Sequence, residues 1–345
     1  MKRIIIFILL TFIFFGCQKE TREVVFYSEV HSTERIRQAE LKIIEDFYKN
    51  GGRTLLLERG FCRGELFNHW ADTGNEESLR LALSPRGINY KELENDINFY
   101  KKILDLCPEL RFYGVDLEHG YLYFKDYFMT NVYDNLSEEE KTLSKESIEQ
   151  MNAIENVDYN DVYNNKDNYE NNEYIENYRE EKMAENAINV IKDKKEKIIG
   201  FFGRAHLMKL EDSNSMICII QKQLPWVKDE DLVGQMEIDP GENYKLRVYG
   251  KDINAKFIVT DYGNRQSHGS ISSMETYRIE NTDDFKDNKV ISDPFSYYIT
   301  FKIKPNEYYL IKYNIQGGMY YYKMFRVSDK YIDGSGNPMI EEIEI

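Results

Sequence analysis

Four short apolar runs, each followed by polar residues and then by a helical pattern or a turn, recur along the first two thirds of the chain. They occupy residues 24–27, 54–57, 111–115 and 197–202. Runs of this length that are rich in β-branched, aromatic and leucine residues are typical of buried strands. The segment after the first run instead repeats apolar residues at helical spacing, from Ile36 to Phe47. Because strands that alternate with helices pair in parallel under a helical layer, the sequence predicts an α/β fold with a mostly parallel central sheet and flanking helices.

Two further regions complete the predicted architecture. Residues 121–195 carry no strand pattern, and helical spacing from Leu143 to Val157 and again over 172–191 predicts a long helical insertion. The chain after residue 236 is rich in β-formers, in five segments separated by Pro-Gly, Gly-Gly and Asp-Gly turns: 244–249, 256–261, 297–303, 308–313 and 319–327. We therefore expect an α/β domain over residues 17–235 and a β-rich C-terminal region over 236–345. This region is either an appended domain or a set of late strands of the main sheet.

The first twenty residues combine a short basic start, an apolar run and the step Gly16-Cys17 followed by polar residues, and in this order they resemble the leader of a bacterial lipoprotein. Lys2 and Arg3 precede an apolar stretch of twelve residues, Ile4 to Phe15. As a helix this stretch would rise about 18 Å, which is too short for a hydrocarbon core of about 30 Å but typical of a signal peptide. The resemblance implies that residues 1–16 are a signal peptide and that Cys17 is the lipidated first residue of the mature chain. An uncleaved N-terminal anchor is the alternative, and both interpretations place the protein outside the cytoplasm, attached to a bacterial membrane.

Charge and cysteine content restrict the partners of the chain. Of its 345 residues, 45 are Lys or Arg and 60 are Asp or Glu, which gives a net charge of −15. A nucleic-acid-binding protein needs a basic face, so we expect no nucleic-acid partner and instead a small-molecule substrate or ligand. Cys62, Cys107 and Cys218 fit no zinc or Cys-x-x-Cys spacing, and we assign them no chemistry.

Ionisable residues follow each of the four predicted strands. The exits of the strands present Glu29 with His31, Glu58, Asp116 with His119, and His206. In parallel sheets, ligands collect outside the carboxyl ends of the strands. The sequence therefore predicts that these side chains share one site, whereas the alternative is ordinary solvated loop polarity.

Arg179 falls on the apolar stripe of the second helix of the insertion. Met183, Asn186 and Val190 follow it at helical spacing, so Arg179 should face the protein interior. A buried arginine needs a charged or polar partner, because an isolated buried charge is very costly. Arg179 therefore either reaches the acidic strand exits or forms a salt bridge within the helical layer.

Six segments between residues 24 and 210 carry short motifs in a fixed order. They are Glu29-Val30-His31, Leu55-Leu56-Leu57-Glu58, Asn68 to Asn75, Arg111 to Asp116, Tyr178 to Asn186, and Gly203-Arg204-Ala205-His206. As a set they resemble the erythromycin esterase family and its wider group, which includes ChaN-like haem-binding lipoproteins and the TraB and Tiki proteins. Ser28, Glu180 and Arg204 depart from the usual pattern, which commonly has Gly, Asp and Asn at these positions.

The resemblance implies hydrolysis of an ester or lactone by an activated water. His31 would be the general base, because a neutral imidazole titrates near working pH. Glu29 and Glu58 would orient His31 and stabilise its cationic form, while His206 and Arg179 would polarise the carbonyl or hold the oxyanion. The sequence contains no Gly-x-Ser-x-Gly elbow, which argues against a serine nucleophile.

Two further roles are expected at the same exits. Asp116 and His119 are expected to contact the substrate. A divalent metal bound by Glu29, His31 and His206 is an alternative to the metal-free site, since imidazole and carboxylate suit zinc or a similar ion.

A second class of function competes with hydrolysis. On the ChaN-like scaffold the chain would be a surface lipoprotein that binds haem or another small ligand without catalysis, and a purely structural lipoprotein is the third alternative. The run Tyr320-Tyr321-Tyr322 suggests carbohydrate stacking, although alternating tyrosines are more often part of a half-buried strand.

Overall fold

The computed structural model confirms the predicted fold class, with a parallel sheet covered by helices and a β-rich C-terminal part. It describes residues 22–29, 34–84, 90–155, 169–209, 214–236, 241–262, 271–292, 301–315, 318–332 and 338–345. The predicted leader, Cys17 and His31 lie outside these residues and stay predictions. Within the described part of the chain, no helix is long and apolar enough to cross a membrane.

The first sheet has five parallel strands in the order β3-β2-β4-β1-β5. They are β1 (Val24–Glu29), β2 (Thr54–Leu57), β3 (Arg111–Gly114), β4 (Ile198–Gly203) and β5 (Lys228–Asp231). The sequence predicts the first four to within about two residues. It misses β5, because Lys-Asp-Glu-Asp has no strand character and forms only an edge beside β1. In register, Leu57 of β2 lies between Gly114 and Phe201, so the strands end at a common edge.

Ten α-helices surround this sheet in the described residues. They are α1 (Glu34–Lys49), α2 (Phe61–Thr73), α3 (Glu76–Leu83), α4 (Tyr90–Leu106), α5 (Lys125–Asn131), α6 (Glu138–Glu155), α7 (Tyr169–Asp193), α8 (Arg204–Leu207), α9 (Met216–Gln223) and α10 (Leu232–Gln235). The predicted helical insertion is present as α5 to α7. The second strand alternates between two cores, because Leu55 and Leu57 pack with α1 to α4 and Leu56 packs with α7 and α9.

The C-terminal part forms a separate antiparallel sheet of six strands in the order β11-β10-β9-β8-β7-β6. Its strands are β6 (Asn243–Val248), β7 (Lys251–Tyr262), β8 (Ile271–Ile279), β9 (Tyr308–Ile315), β10 (Tyr320–Ile332) and β11 (Pro338–Ile343). Four of the five predicted segments are strands. The fifth, 297–303, falls partly outside the described residues, and residues 301–303 are not in a strand. The sequence misses β8 and β11, whose polar residues interrupt the apolar pattern.

Candidate functional site

The exits of three strands and one helix of the insertion meet at the carboxyl edge of the first sheet. Glu58 follows β2, Asp116 follows β3, and His206 lies in the short helix α8 directly after β4. Arg179 projects from α7 and contacts both Glu58 and Asp116. The structure therefore brings four of the sequence-predicted site residues together.

Glu58 is the junction of this group. Its Oε1 accepts a hydrogen bond from Arg179 Nη2 at 3.0 Å and lies 3.2 Å from His206 Nε2. Its Oε2 accepts the backbone N–H of Gly203 at 2.7 Å. Three donors from three different elements thus fix both oxygens of the carboxylate, and charge-assisted bonds of this kind are among the stronger ones.

Arg179 holds Asp116 in a two-point contact. Its Nε and Nη2 donate to Oδ1 and Oδ2 of Asp116 at 2.9 and 2.7 Å, and the backbone N–H of Leu117 adds a bond to Oδ1 at 2.7 Å. Burial would raise the pKa of the Asp116 carboxyl, but the Arg179 guanidinium lowers it below the usual value. Nη1 of Arg179 makes no hydrogen bond within the described residues, and 28% of the side chain is exposed. Arg179 therefore reaches the acidic strand exits and keeps one donor for a ligand.

His206 bridges two carboxylates. Its Nδ1 contacts Glu180 Oε1, while its Nε2 faces Glu58. The other oxygen of Glu180 accepts the backbone N–H of Met216 at 2.6 Å, which ties α7 to α9. Burial alone would lower the pKa of His206, but Glu58 and Glu180 together raise it to about 9. His206 is therefore a cation at neutral pH, with both ring nitrogens engaged.

This arrangement makes the stability of the protein depend on the charge of His206. A histidine whose pKa rises on folding from 6.5 to about 9 stabilises the folded state fully below about pH 6.5, and the stabilisation is lost as the pH rises through about 9. We expect the free energy of unfolding to fall over this window by up to about 3 kcal/mol more in the wild type than in His206→Gln. Denaturant unfolding at a series of pH values measures the difference. Parallel pH profiles for the two proteins would contradict the assignment.

His119 lies at the rim of the group. Its Nε2 is 3.9 Å from Asp116 Oδ2, and 41% of its side chain is exposed. Partial burial lowers the pKa of His119, and the neighbouring Arg179 and Arg63 act in the same direction against the opposing effect of Asp116. His119 is thus a neutral imidazole open to solvent. A contact between His119 or Asp116 and a substrate stays a prediction.

Two glycines allow the β2 and β3 exits to lie against each other. A Cβ on Gly114 would lie 1.9 Å from the carbonyl oxygen of Gly60, and a Cβ on Gly60 would lie 2.3 Å from Glu118 Oε2. The backbone N–H of Asp116 donates to the carbonyl of Arg59 at 2.8 Å. Glu58 and Asp116 can share Arg179 because their loops approach this closely.

A buried ionic pair supports the same two loops from behind. Glu118 is fully buried, and its Oε2 accepts the N–H of Cys62 at 2.7 Å and the hydroxyl of Ser147 at 3.2 Å. Arg63, 3% exposed, donates to the carbonyl of His119 at 2.8 Å. Burial raises the pKa of Glu118, and burial also lowers the pKa of Arg63 to about 10. Both side chains are almost fully closed to solvent.

A cavity of about 140 Å³ is lined in part by Glu58. Glu29, at the end of β1, lines this cavity together with Glu58 and Arg59, and the aromatic rings of Phe99 and Tyr100 contribute to its wall. The cavity is smaller than the roughly 300–1,000 Å³ of pockets for drug-sized ligands, so it would hold a small molecule or one group of a larger one. Of the predicted catalytic residues, only His31 falls outside the described part of the chain.

The predicted metal set includes His31, which lies outside the described residues, so the set stays a prediction. In the described arrangement both nitrogens of His206 face carboxylates, so His206 offers a metal no nitrogen lone pair unless one of these contacts is given up. Among the described residues, no three His, Cys, Asp or Glu side chains are grouped to hold an ion. We therefore derive no catalytic step through a metal.

Sequence reasoning misses Glu180 and Glu118 as members of this region. Glu180 directly follows Arg179 in its helix, and Glu118 lies two residues after Asp116. Glu180 stands next to Arg179 on α7, which by itself gives no reason to expect that it reaches His206.

Comparison with known proteins yields one structural neighbour and no family. No protein-family model matches the chain, and no curated protein matches it. A crystal structure of a Bacillus cereus protein is similar over 94% of this chain and 85% of that chain, with 13% sequence identity and a TM-score of 0.39. At this level of similarity, neither a family nor a function follows for the present chain.

Proposed function

We propose that this protein is a hydrolase that cleaves an ester or lactone with an activated water at the carboxyl edge of the parallel sheet. The observation that carries the proposal is the position of Glu58. Its carboxylate lines the cavity and is also held by Arg179, His206 and the N–H of Gly203. Fixed charges beside a cavity are the arrangement that stabilises charge in a transition state without reorganisation. The resemblance of the strand-exit motifs to the erythromycin esterase family supports the same conclusion.

In the proposed reaction, His31 takes a proton from a water molecule whose oxygen bonds to the substrate carbonyl carbon. The carbonyl oxygen becomes an oxyanion, and Nη1 of Arg179 donates to it. When the tetrahedral intermediate collapses, the bond to the leaving alkoxide breaks, and the alkoxide takes the proton from His31. Glu29, two residues before His31 and on the cavity wall, would orient the imidazole.

His206 has a different part in this proposal from the one that the family resemblance implies. With both nitrogens facing Glu58 and Glu180, it cannot also donate to a substrate carbonyl. We infer that His206 is a positioning residue, which holds the Glu58 carboxylate against Arg179. Arg179 then supplies the oxyanion contact alone.

A panel of chromogenic esters and aliphatic lactones, assayed with the purified full-length protein, tests the proposal. We expect turnover of at least one class, unchanged by a chelator because the proposed step uses no metal. Haem titration of the same sample tests the competing ligand-binding function. A Soret band without turnover of any ester or lactone would replace the hydrolase proposal with that of a haem-binding lipoprotein.

A further inference from the structure

The second sheet curves so that its first hairpin meets its fifth strand. The hydroxyl of Tyr249, in the turn between β6 and β7, lies 3.3 Å from both the backbone nitrogen and the backbone oxygen of Tyr322 on β10. In the strand order, β8 and β9 separate these two elements. The face between them is therefore concave, and its deep part is filled by a core that includes Val248, Leu310 and Met324.

Exposure increases along the concave face away from this core. Leu310 and Met324 are fully buried, whereas Tyr320 is 59% exposed and Tyr249 is 66% exposed. The rings of Tyr320 and Tyr322 lie 5.7 Å apart at 78°. Tyr321 points to the opposite face, where its ring stacks on the ring of Tyr313 in β9. A half-buried strand thus explains Tyr321, whereas the rings of Tyr320 and Tyr249 on the concave face stay more than half exposed.

Hydrogen-bonding side chains lie between these rings and a further tyrosine, Tyr277. Glu275 accepts bonds from the Tyr277 hydroxyl at 2.5 Å, from Lys312 Nζ at 3.0 Å and from Asn314 Nδ2 at 2.8 Å. Lys312 Nζ also lies 5.1 Å from the centre of the Tyr320 ring. The one acidic and one basic group in this set neutralise each other. We call Tyr249, Glu275, Lys312, Asn314, Tyr320 and Tyr322 the tyrosine surface.

We propose that the tyrosine surface binds a neutral glycan. A sugar ring has an apolar C–H face, which packs on an exposed aromatic ring, and an edge of hydroxyls, which needs both donors and acceptors. The tyrosine surface offers exposed rings beside a carboxylate, an amide and an ammonium group. A purely apolar partner would remove water from these charged and polar side chains without adding a hydrogen bond to them, which is costly. A strongly charged partner gains little, because Lys312 and Glu275 are already paired.

The surface also has the form of known ligand sites in β-proteins. Such sites are concave and combine apolar and aromatic walls with a few placed polar groups. The polar groups are held in place before binding, because Tyr277, Lys312 and Asn314 donate hydrogen bonds of 2.5 to 3.0 Å to Glu275. Side chains that are already ordered lose less entropy when a ligand binds. This inference does not depend on the hydrolase proposal, since it concerns the other sheet.

Affinity electrophoresis of the full chain tests the inference. Three uncharged polysaccharides, hydroxyethylcellulose, galactomannan and laminarin, are each cast into a native gel. A fourth probe, chitohexaose, is titrated into the protein in a calorimeter. We expect retardation or heat with at least one probe, and we expect Tyr320→Ala to weaken that binding by about fivefold or more, because one stacked ring is lost. Tyr320→Phe, which keeps the ring, should bind as the wild type does.

Tyr331→Ala is the matched control. Tyr331 lies on the same strand, is 48% exposed, and lies outside the tyrosine surface. Its loss should leave binding unchanged. No interaction with any of the four probes would overturn the proposal, and so would a Tyr320→Ala protein that binds as tightly as the wild type or a Tyr331→Ala protein that loses binding equally.

Discussion

Replacing Arg179 with Met is expected to lower the free energy of unfolding by about 2–3 kcal/mol. Asp116 is 3% exposed, and Arg179 supplies its two ionic bonds, so the substitution leaves a carboxylate buried without its cation. Breaking a fully buried ion pair costs about 3–5 kcal/mol, and the smaller figure allows for the 28% exposure of Arg179. Chemical denaturation of the purified variant gives the value.

Lys182→Met is the control for this experiment. Lys182 lies on the same helix, pairs with Glu185, a half-exposed residue, and lies 5.6 Å from the centre of the Tyr178 ring. These are surface contacts, so the loss of Lys182 should change stability by no more than about 0.5 kcal/mol. A double-mutant cycle tests the contact directly, with Asp116→Asn made both in the wild type and in Arg179→Met. We expect a much smaller cost in the Arg179→Met background, because the contact has already been lost. If the losses in free energy of unfolding caused by Arg179→Met and Asp116→Asn simply add, the two side chains do not interact in solution.

The largest expected effect on activity belongs to His31→Ala. Loss of a general base should lower turnover by about 10²–10⁴-fold on whichever ester or lactone the wild type cleaves. The sequence places His31 between a strand and a helix, outside the apolar stripe, so the melting temperature should change little. Turnover and melting temperature are measured on the same preparation. A His31→Ala protein with full activity would exclude this residue as the base.

The strand exits could be predicted from the sequence for a definite physical reason. A parallel sheet brings the carboxyl ends of its strands to one edge, so Glu58, Asp116 and His206 had to be near one another once the strands were recognised. The apolar stripe around Arg179 predicted a buried cation in need of an acid. These inferences use only periodicity and topology, which local sequence determines.

Other parts of the site depend on distances between elements far apart in the chain. The Glu180–His206 contact requires α7 to pass over α8 at one particular angle, and no local pattern encodes that angle. The cavity beside Glu58 depends likewise on how helices α1 and α4 pack. The charged edge strand β5 is a strand only because β1 offers it a partner, so its own residues do not predict a strand.

Turnover by Glu58→Gln tests the central claim most directly. The substitution keeps the shape of the side chain and removes the charge that Arg179 and His206 both face. On the ester or lactone that the wild type cleaves best, we predict that turnover falls by at least about 10²-fold. A cooperative thermal unfolding transition shows that the variant is still folded. Undiminished turnover in a folded Glu58→Gln protein would contradict the claim that this carboxylate organises the active site.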